Sequence, residues 1–302
     1  MTIFDIMKRS RDAALYRRIY QSRMRAKVGG NAFSRSVSPS PEPEPIPEPD
    51  VIVETQDDFK AALADAEDGD IIQVAVDMDI SGVPLVVDAG KTVTVDINGK
   101  TISSEGLSGG TTTDAIFAVR RGGTLILEDT SDGKTGVVDG SKVRSICCAV
   151  KLTEKGEDAS GEVAKVIIKS GTYIGTNYAV SGNGMRQDTD VTIEGGTFKC
   201  NDASEKGETA YYQPQRGSLT INGGEFEGPT ALYIKCGIAV INGGTFKTES
   251  PAAEFNHNGN GTHPTGDAVI VEVCDYPGGY PTVIVNGGTF ISENAKGFAS
   301  YA

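Results

Sequence analysis

Apolar and polar positions alternate in short runs over most of the chain, and Gly, Asn and Asp break the runs. Val166-Ile-Ile-Lys-Ser-Gly-Thr-Tyr173 aligns with Val191-Thr-Ile-Glu-Gly-Gly-Thr-Phe198 and with Leu219-Thr-Ile-Asn-Gly-Gly-Glu-Phe226. Ala239-Val-Ile-Asn-Gly-Gly-Thr-Phe246 and Val283-Ile-Val-Asn-Gly-Gly-Thr-Phe290 follow the same pattern, and Val95-Asp-Ile-Asn-Gly-Lys-Thr-Ile102 is a degenerate copy. Period-2 alternation with β-branched residues predicts strands. The Gly pair predicts a turn that tolerates positive φ. The second Gly falls at 171, 196, 224, 244 and 288. Its steps are 20–28 residues, except for the last, of 44 residues, which reads as two coils of 22. Such a period predicts a solenoid.

A later apolar run recurs in each repeat at Tyr178–Val180, Ala210–Tyr212, Ala231–Ile234, Ala268–Val271 and Phe298–Tyr301. Each coil therefore has at least two strands. Stacked in parallel, coils place like residues in ladders. Tyr173, Phe198, Phe226, Phe246 and Phe290 form an expected aromatic ladder. Ile168, Ile193, Ile221, Ile241 and Val285 form an aliphatic one. Some ten coils, about 50 Å of rod, are expected at 4.8 Å per coil.

Three segments divide the chain. Residues 2–26 contain no Pro or Gly and carry a rough apolar stripe, which predicts a helix about 36 Å long. Within 1–36, nine basic side chains face two acidic ones. Residues 37–50 carry Pro at nearly every second position from Pro39 to Pro49, which predicts a semi-rigid polyproline II linker. Residues 51–302 are the solenoid body. It opens with a helix over about 55–67, where Thr55-Gln-Asp-Asp58 resembles a capping box and Phe59, Leu63 and Ala66 share one face. This helix is placed to cap the first coil.

Composition sharpens the division. The whole chain of 302 residues has net charge −13, so the remainder after residue 36 holds 39 acidic against 19 basic side chains. An acidic body repels nucleic acid and anionic membrane. There is no apolar run long enough to span a bilayer. The first 25 residues lack the apolar stretch of a secretory signal, and five scattered Cys suit a reducing cytoplasm. Two His leave little material for a His-based site.

Candidate chemistry is sparse. The outward repeat position holds Lys169, Glu194, Asn222, Asn242 and Asn286, a single carboxylate with no partner for acid–base work. Asp77, Asp79 and Asp88 read as a solvated rim. Asp129, Asp132 and Asp139 read as turn residues. His257 and His263 lie in the longest irregular insert, 250–267, with no Cys or carboxylate expected beside them. Adjacent Cys147 and Cys148 are not a redox or zinc motif, and Cys200, Cys236 and Cys274 are expected in the core. No catalytic constellation, metal or cofactor is expected.

The opening Asp57-Asp-Phe-Lys-Ala-Ala-Leu-Ala-Asp-Ala-Glu-Asp-Gly-Asp70 and the Ile-Asn-Gly-Gly-Thr-Phe repeats resemble right-handed parallel β-helices of the pectin-lyase type. The resemblance covers roughly 54–302 and implies an all-β, single-stranded right-handed parallel β-helix with an N-terminal capping helix. The plan of basic arm, Pro-Glu linker and β-helix also resembles bacteriophage head fibres, capsid decorations and tailspikes.

These resemblances imply a non-enzymatic virion protein made in the cytoplasm of a host bacterium. Phe4, Arg9, Arg11, Leu15, Tyr16, Arg17, Arg18, Ile19, Tyr20, Arg23 and Arg25 would dock on an acidic groove of a capsid, portal or neck protein. A homo-oligomer, a trimer by analogy with β-helix spikes, is expected, with no membrane or nucleic-acid partner. Tyr211, Tyr212, Arg216, His257, Tyr276 and Tyr280 are the candidates for contact with host glycans. A tailspike-like polysaccharide depolymerase and a bacterial glycan-binding or adhesin module are the alternatives.

Overall fold

In the computed structural model, three parallel sheets of nine, eight and eight strands run through the residues described. These are 46–107, 114–142, 147–152, 162–182, 188–200, 209–259, 261–276 and 279–302. The arm over 1–36, all its docking candidates and the linker as far as 45 lie outside them.

Each repeat contributes one strand to each sheet, an arrangement consistent with a parallel β-helix. The first sheet holds Val51–Val53, Ile71–Val74, Thr92–Asp96, Thr124–Glu128 and Ala164–Ile168. It continues through Asp188–Ile193, Arg216–Ile221, Ile238–Ile241 and Thr282–Val285. The second runs from Met78–Gly82 to Thr289–Ser292, and the third from Leu85–Val87 to Phe298–Tyr301. The expected minimum of two strands per coil becomes three, because the residues after the Gly turn form a short strand of their own.

Register follows the repeat. Ile168 pairs with Ile193, Ile193 with Ile221, Ile221 with Ile241 and Ile241 with Val285. All are sealed from solvent except Val285, which is 46% exposed on the last strand of its sheet. The aromatic ladder forms as expected: successive rings of Tyr173, Phe198, Phe226, Phe246 and Phe290 stack 4.6–5.4 Å apart. It continues through Val138, Ile102 and Met78. Outside, Asn222 donates to Glu194 (3.0 Å), Asn242 to Asn222 (2.8 Å) and Asn286 to Asn242 (2.7 Å), a hydrogen-bonded amide ladder.

Two expectations change. Phe246 pairs directly with Phe290, so the 44-residue step is one coil and not two. The surplus chain between Thr248 and Val269 lies outside the repeat. The stack therefore contains eight three-stranded coils and not ten, roughly 40 Å at the usual strand spacing.

The five repeat glycines, Gly171, Gly196, Gly224, Gly244 and Gly288, share φ of 96–115°. A side chain there would strain the backbone, and at Gly224 a Cβ would also press on the Gly196 carbonyl at 3.1 Å.

The helix α1 (Gln56–Asp65) buries Phe59 and Leu63 in the core, with Phe59 edge-on to Phe117 at 5.9 Å. Thr55 accepts from Asp58 N at 3.1 Å, as a cap should. The reciprocal half of a capping box differs: Asp58 accepts from the Thr55 hydroxyl (2.7 Å). Its carboxylate is one methylene shorter than that of the usual Glu.

Candidate functional site

The third sheet is covered on its outer face as well as its inner one. In the strand Leu232–Ile234 all three residues are buried, and Ala115, Cys148, Tyr178, Tyr212, Tyr233 and Ile270 form an outer apolar cluster. At its C-terminal end the cover is the insert between Thr248 and Val269. Tyr212 donates to the Gly261 carbonyl (3.1 Å), and Phe255 stacks flat on Tyr301, ring centroids 4.2 Å apart. Buried Asp267 ties the insert's end to the last coil, accepting from Lys296 N (2.8 Å) and the Tyr301 hydroxyl (2.5 Å).

Beneath the insert lies a polar nest. Strand alternation sends Tyr233 and Lys235 outward from one coil and Glu272 and Cys274 from the next. Lys235 and Glu272 are sealed, with side-chain exposures of 0% and 2%. Lys235 Nζ sits 3.2 Å from Glu272 Oε2, which also accepts from the Tyr233 hydroxyl at 2.7 Å. The ammonium donates as well to the carbonyls of Asn258 and Gly261 (2.9 Å for the latter) and lies 4.5 Å above the Tyr276 ring.

The other carboxylate oxygen, Oε1, is buried and meets Nδ1 of His257, an ion pair when the ring is protonated. One donor atom each of His257, Glu272 and Cys274 lie within 4.8 Å of one another. Burial, with the Glu272 carboxylate adding to it, pushes the Cys274 thiol up, and Lys235 offsets part of this. Burial likewise drives the Tyr233 phenol far up, so it stays a proton donor to Glu272. Neighbouring Cys236 is pushed up to about 11, chiefly by burial.

This nest corrects the expectation that no Cys or carboxylate stands near His257. Glu272 and Cys274 are two residues apart at a strand end, so they share a face. That face becomes a site only when the insert folds back over it. Lys235, Tyr233, Glu272 and Cys274 were all missed. The available signal was the pairing of outward polar residues on adjacent repeats with an insert carrying His.

The glycan-contact candidates separate. Tyr211 faces the core, where its hydroxyl meets Gln213 Oε1 (3.2 Å), and Gln215 donates to the same oxygen (2.9 Å). Tyr212 and Tyr276 are also buried. These three rings offer no open face, because the coil interior or the insert covers them. Arg216 pairs with Asp188 (2.7 Å). Tyr280 stays 66% exposed, and the His257 side chain 57%. The His263 ring contacts the Glu254 carbonyl at 3.1 Å, while its backbone hydrogen-bonds the Tyr233 hydroxyl at the edge of the nest.

Expected rim carboxylates have partners: Asp77 accepts from Thr101 N, Asp79 from Glu105 N, and Asp88 pairs with Arg120. Asp129 serves a turn as expected, accepting from the backbones of Gly99, Ser131 and Gly136. Cys148, Cys200 and Cys236 are buried, whereas Cys274 is half-buried.

A second feature is an open groove of about 780 Å³ along the Gly turns, walled by Thr172, Thr197, Glu225, Thr245 and Thr289. Its polar hydroxyl rows repeat at the coil spacing.

Among the described residues no helix is long and apolar enough to cross a membrane. No family model matches the chain, and comparisons with curated proteins and with solved structures found no match.

Proposed function

We propose that this chain is a structural appendage of a virus particle, a head fibre or capsid decoration that displays a right-handed parallel β-helix. The observation that carries the reading is the continuous column of paired residues from Met78 to Phe290 through all eight coils of the second sheet. A stack in which every coil is pinned by its neighbours is stiff and can hold loops at fixed positions. In this reading α1 closes the first coil.

The sequence supplies the attachment. The basic arm over 1–36 orders on an acidic groove of a capsid, portal or neck protein, through apolar burial by Phe4, Leu15, Tyr16, Ile19 and Tyr20 and multiple Arg contacts. The Pro-Glu linker holds the acidic rod clear of the surface. Tyr280, 66% exposed, is the candidate left open for host-surface contact. The rods associate as a homo-oligomer, a trimer.

Deleting residues 1–36 tests the reading. The remaining chain stays folded and soluble but no longer enters particles. Incorporation at the level of the full chain would refute the anchor, and depolymerisation of a capsule polysaccharide by the purified protein would replace the structural role with an enzymatic one.

A further inference from the structure

We propose that His257, Glu272 and Cys274 bind a late first-row divalent cation of the zinc class, clamping the insert onto the third sheet. Their donor atoms lie within 4.8 Å of one another. Ligands on a tetrahedral zinc ion are spaced about 3.5 Å apart, so side-chain adjustments of about an ångström complete the site. One donor comes from the insert and two from the end of the strand Val269–Glu272 and the residues after it. The ion would therefore join two parts of the chain that the repeat does not hold together.

The second observation concerns Glu272. Its two oxygens are treated differently by their surroundings. Oε2 takes the Tyr233 hydroxyl and Lys235, whereas Oε1 is sealed from solvent and meets Nδ1 of His257, an ion pair when the ring is protonated. A metal-binding carboxylate is usually oriented in this way, by donors on the oxygen that does not ligate. With the imidazole neutral and its proton on Nε2, two lone pairs face each other in a buried place at a cost in free energy, and a cation between them removes that cost.

The donor set selects the ion. One imidazole nitrogen, one carboxylate oxygen and one thiol sulfur suit zinc or cobalt and suit calcium or magnesium poorly. Binding replaces the Cys274 thiol proton by the metal and releases that proton to solvent. The thiolate so formed offsets the Lys235 charge on the far side of the carboxylate. His257 is 57% exposed, which leaves the fourth position to water.

The test uses the full chain, stripped with a chelator under a thiol-free reductant and titrated separately with Zn²⁺ and Co²⁺. The expected result is saturable uptake of one equivalent, a thiolate-to-cobalt charge-transfer absorption, and a raised melting temperature with Zn²⁺. Cys274→Ser abolishes the charge-transfer absorption, and His257→Ala abolishes tight uptake. Both side chains are partly exposed, and circular dichroism verifies that the variants fold. Tyr233→Phe, which touches no metal, weakens binding about tenfold by loosening Glu272. Absence of stoichiometric uptake overturns the site, as does full affinity retained in either ligand variant.

Discussion

Phe246 and Phe290 lie face to face, ring centroids 5.2 Å apart and planes 13° from parallel, although 44 positions separate them. The coil between them absorbs a long insert without losing register, because the Gly turns and the ladder positions on either side are unchanged. Ring stacking at this spacing adds to ordinary burial. Truncation in the middle of the column leaves a void between two coils that cannot close up. Phe226→Ala should therefore lower the unfolding free energy by about 3–5 kcal/mol. Phe290, partly exposed on the last coil, should cost less than half of that as Ala. Urea unfolding of the two variants checks the ordering, and equal losses would argue against a continuous column.

The strands, the parallel ladders and the residues that fill them were legible in the sequence because a solenoid writes its contacts as repetition. Tyr173 and Phe198 align in the chain because they touch in space. The 44-residue step was misread for the same reason: periodicity implies a count, and a multiple of the period looks like two coils. Coils built on Thr124–Glu128 and Ile71–Val74 carry no Gly-Gly-aromatic signature, so they were not recognised as copies. The nest under the insert was invisible because it depends on where an irregular segment folds, and Tyr212 and Tyr276 look like surface aromatics until that cover is in place.

Lys235 and Glu272 are both removed from water, so each is expensive without the other. Lys235→Met should destabilise the protein by about 3–5 kcal/mol by leaving the carboxylate uncompensated. The double variant Lys235→Met/Glu272→Leu should recover most of that loss. Denaturant melts of the two singles and the double form the cycle, and strictly additive losses would mean that the pair is not coupled.

Asp129 is fully buried. Burial alone would raise its pKa, but hydrogen bonds from Ser131, Gly136 and Gly99 outweigh that and hold it below the ordinary 3.8. A carboxylate depressed on folding adds stability above its unfolded pKa and loses it as pH falls through the folded value. The stability gap between the native protein and Asp129→Asn should thus be full at about pH 6 and should close as pH falls through the lowered folded value. A gap that widens on acidification would reverse the assignment.

Gly217 has φ of 103°, and a Cβ there would meet the Thr189 carbonyl oxygen at 2.0 Å on the next strand. Strain and collision act together, so Gly217→Ala should cost well over the roughly 1 kcal/mol of a simple left-handed penalty. Gly69 shares the positive φ but has open space around it, so Gly69→Ala isolates the strain alone. Thermal melting of both should show the larger drop at Gly217, and similar drops would mean that the strands are not packed so closely.

The proposed virion role is tested most directly by quantitative mass spectrometry of gradient-purified virus particles from cultures that express this chain. The account predicts the chain at a fixed ratio to the major capsid protein, retained through high-salt washing. Recovery of the chain free in the lysate, with none in the particle band, would contradict it.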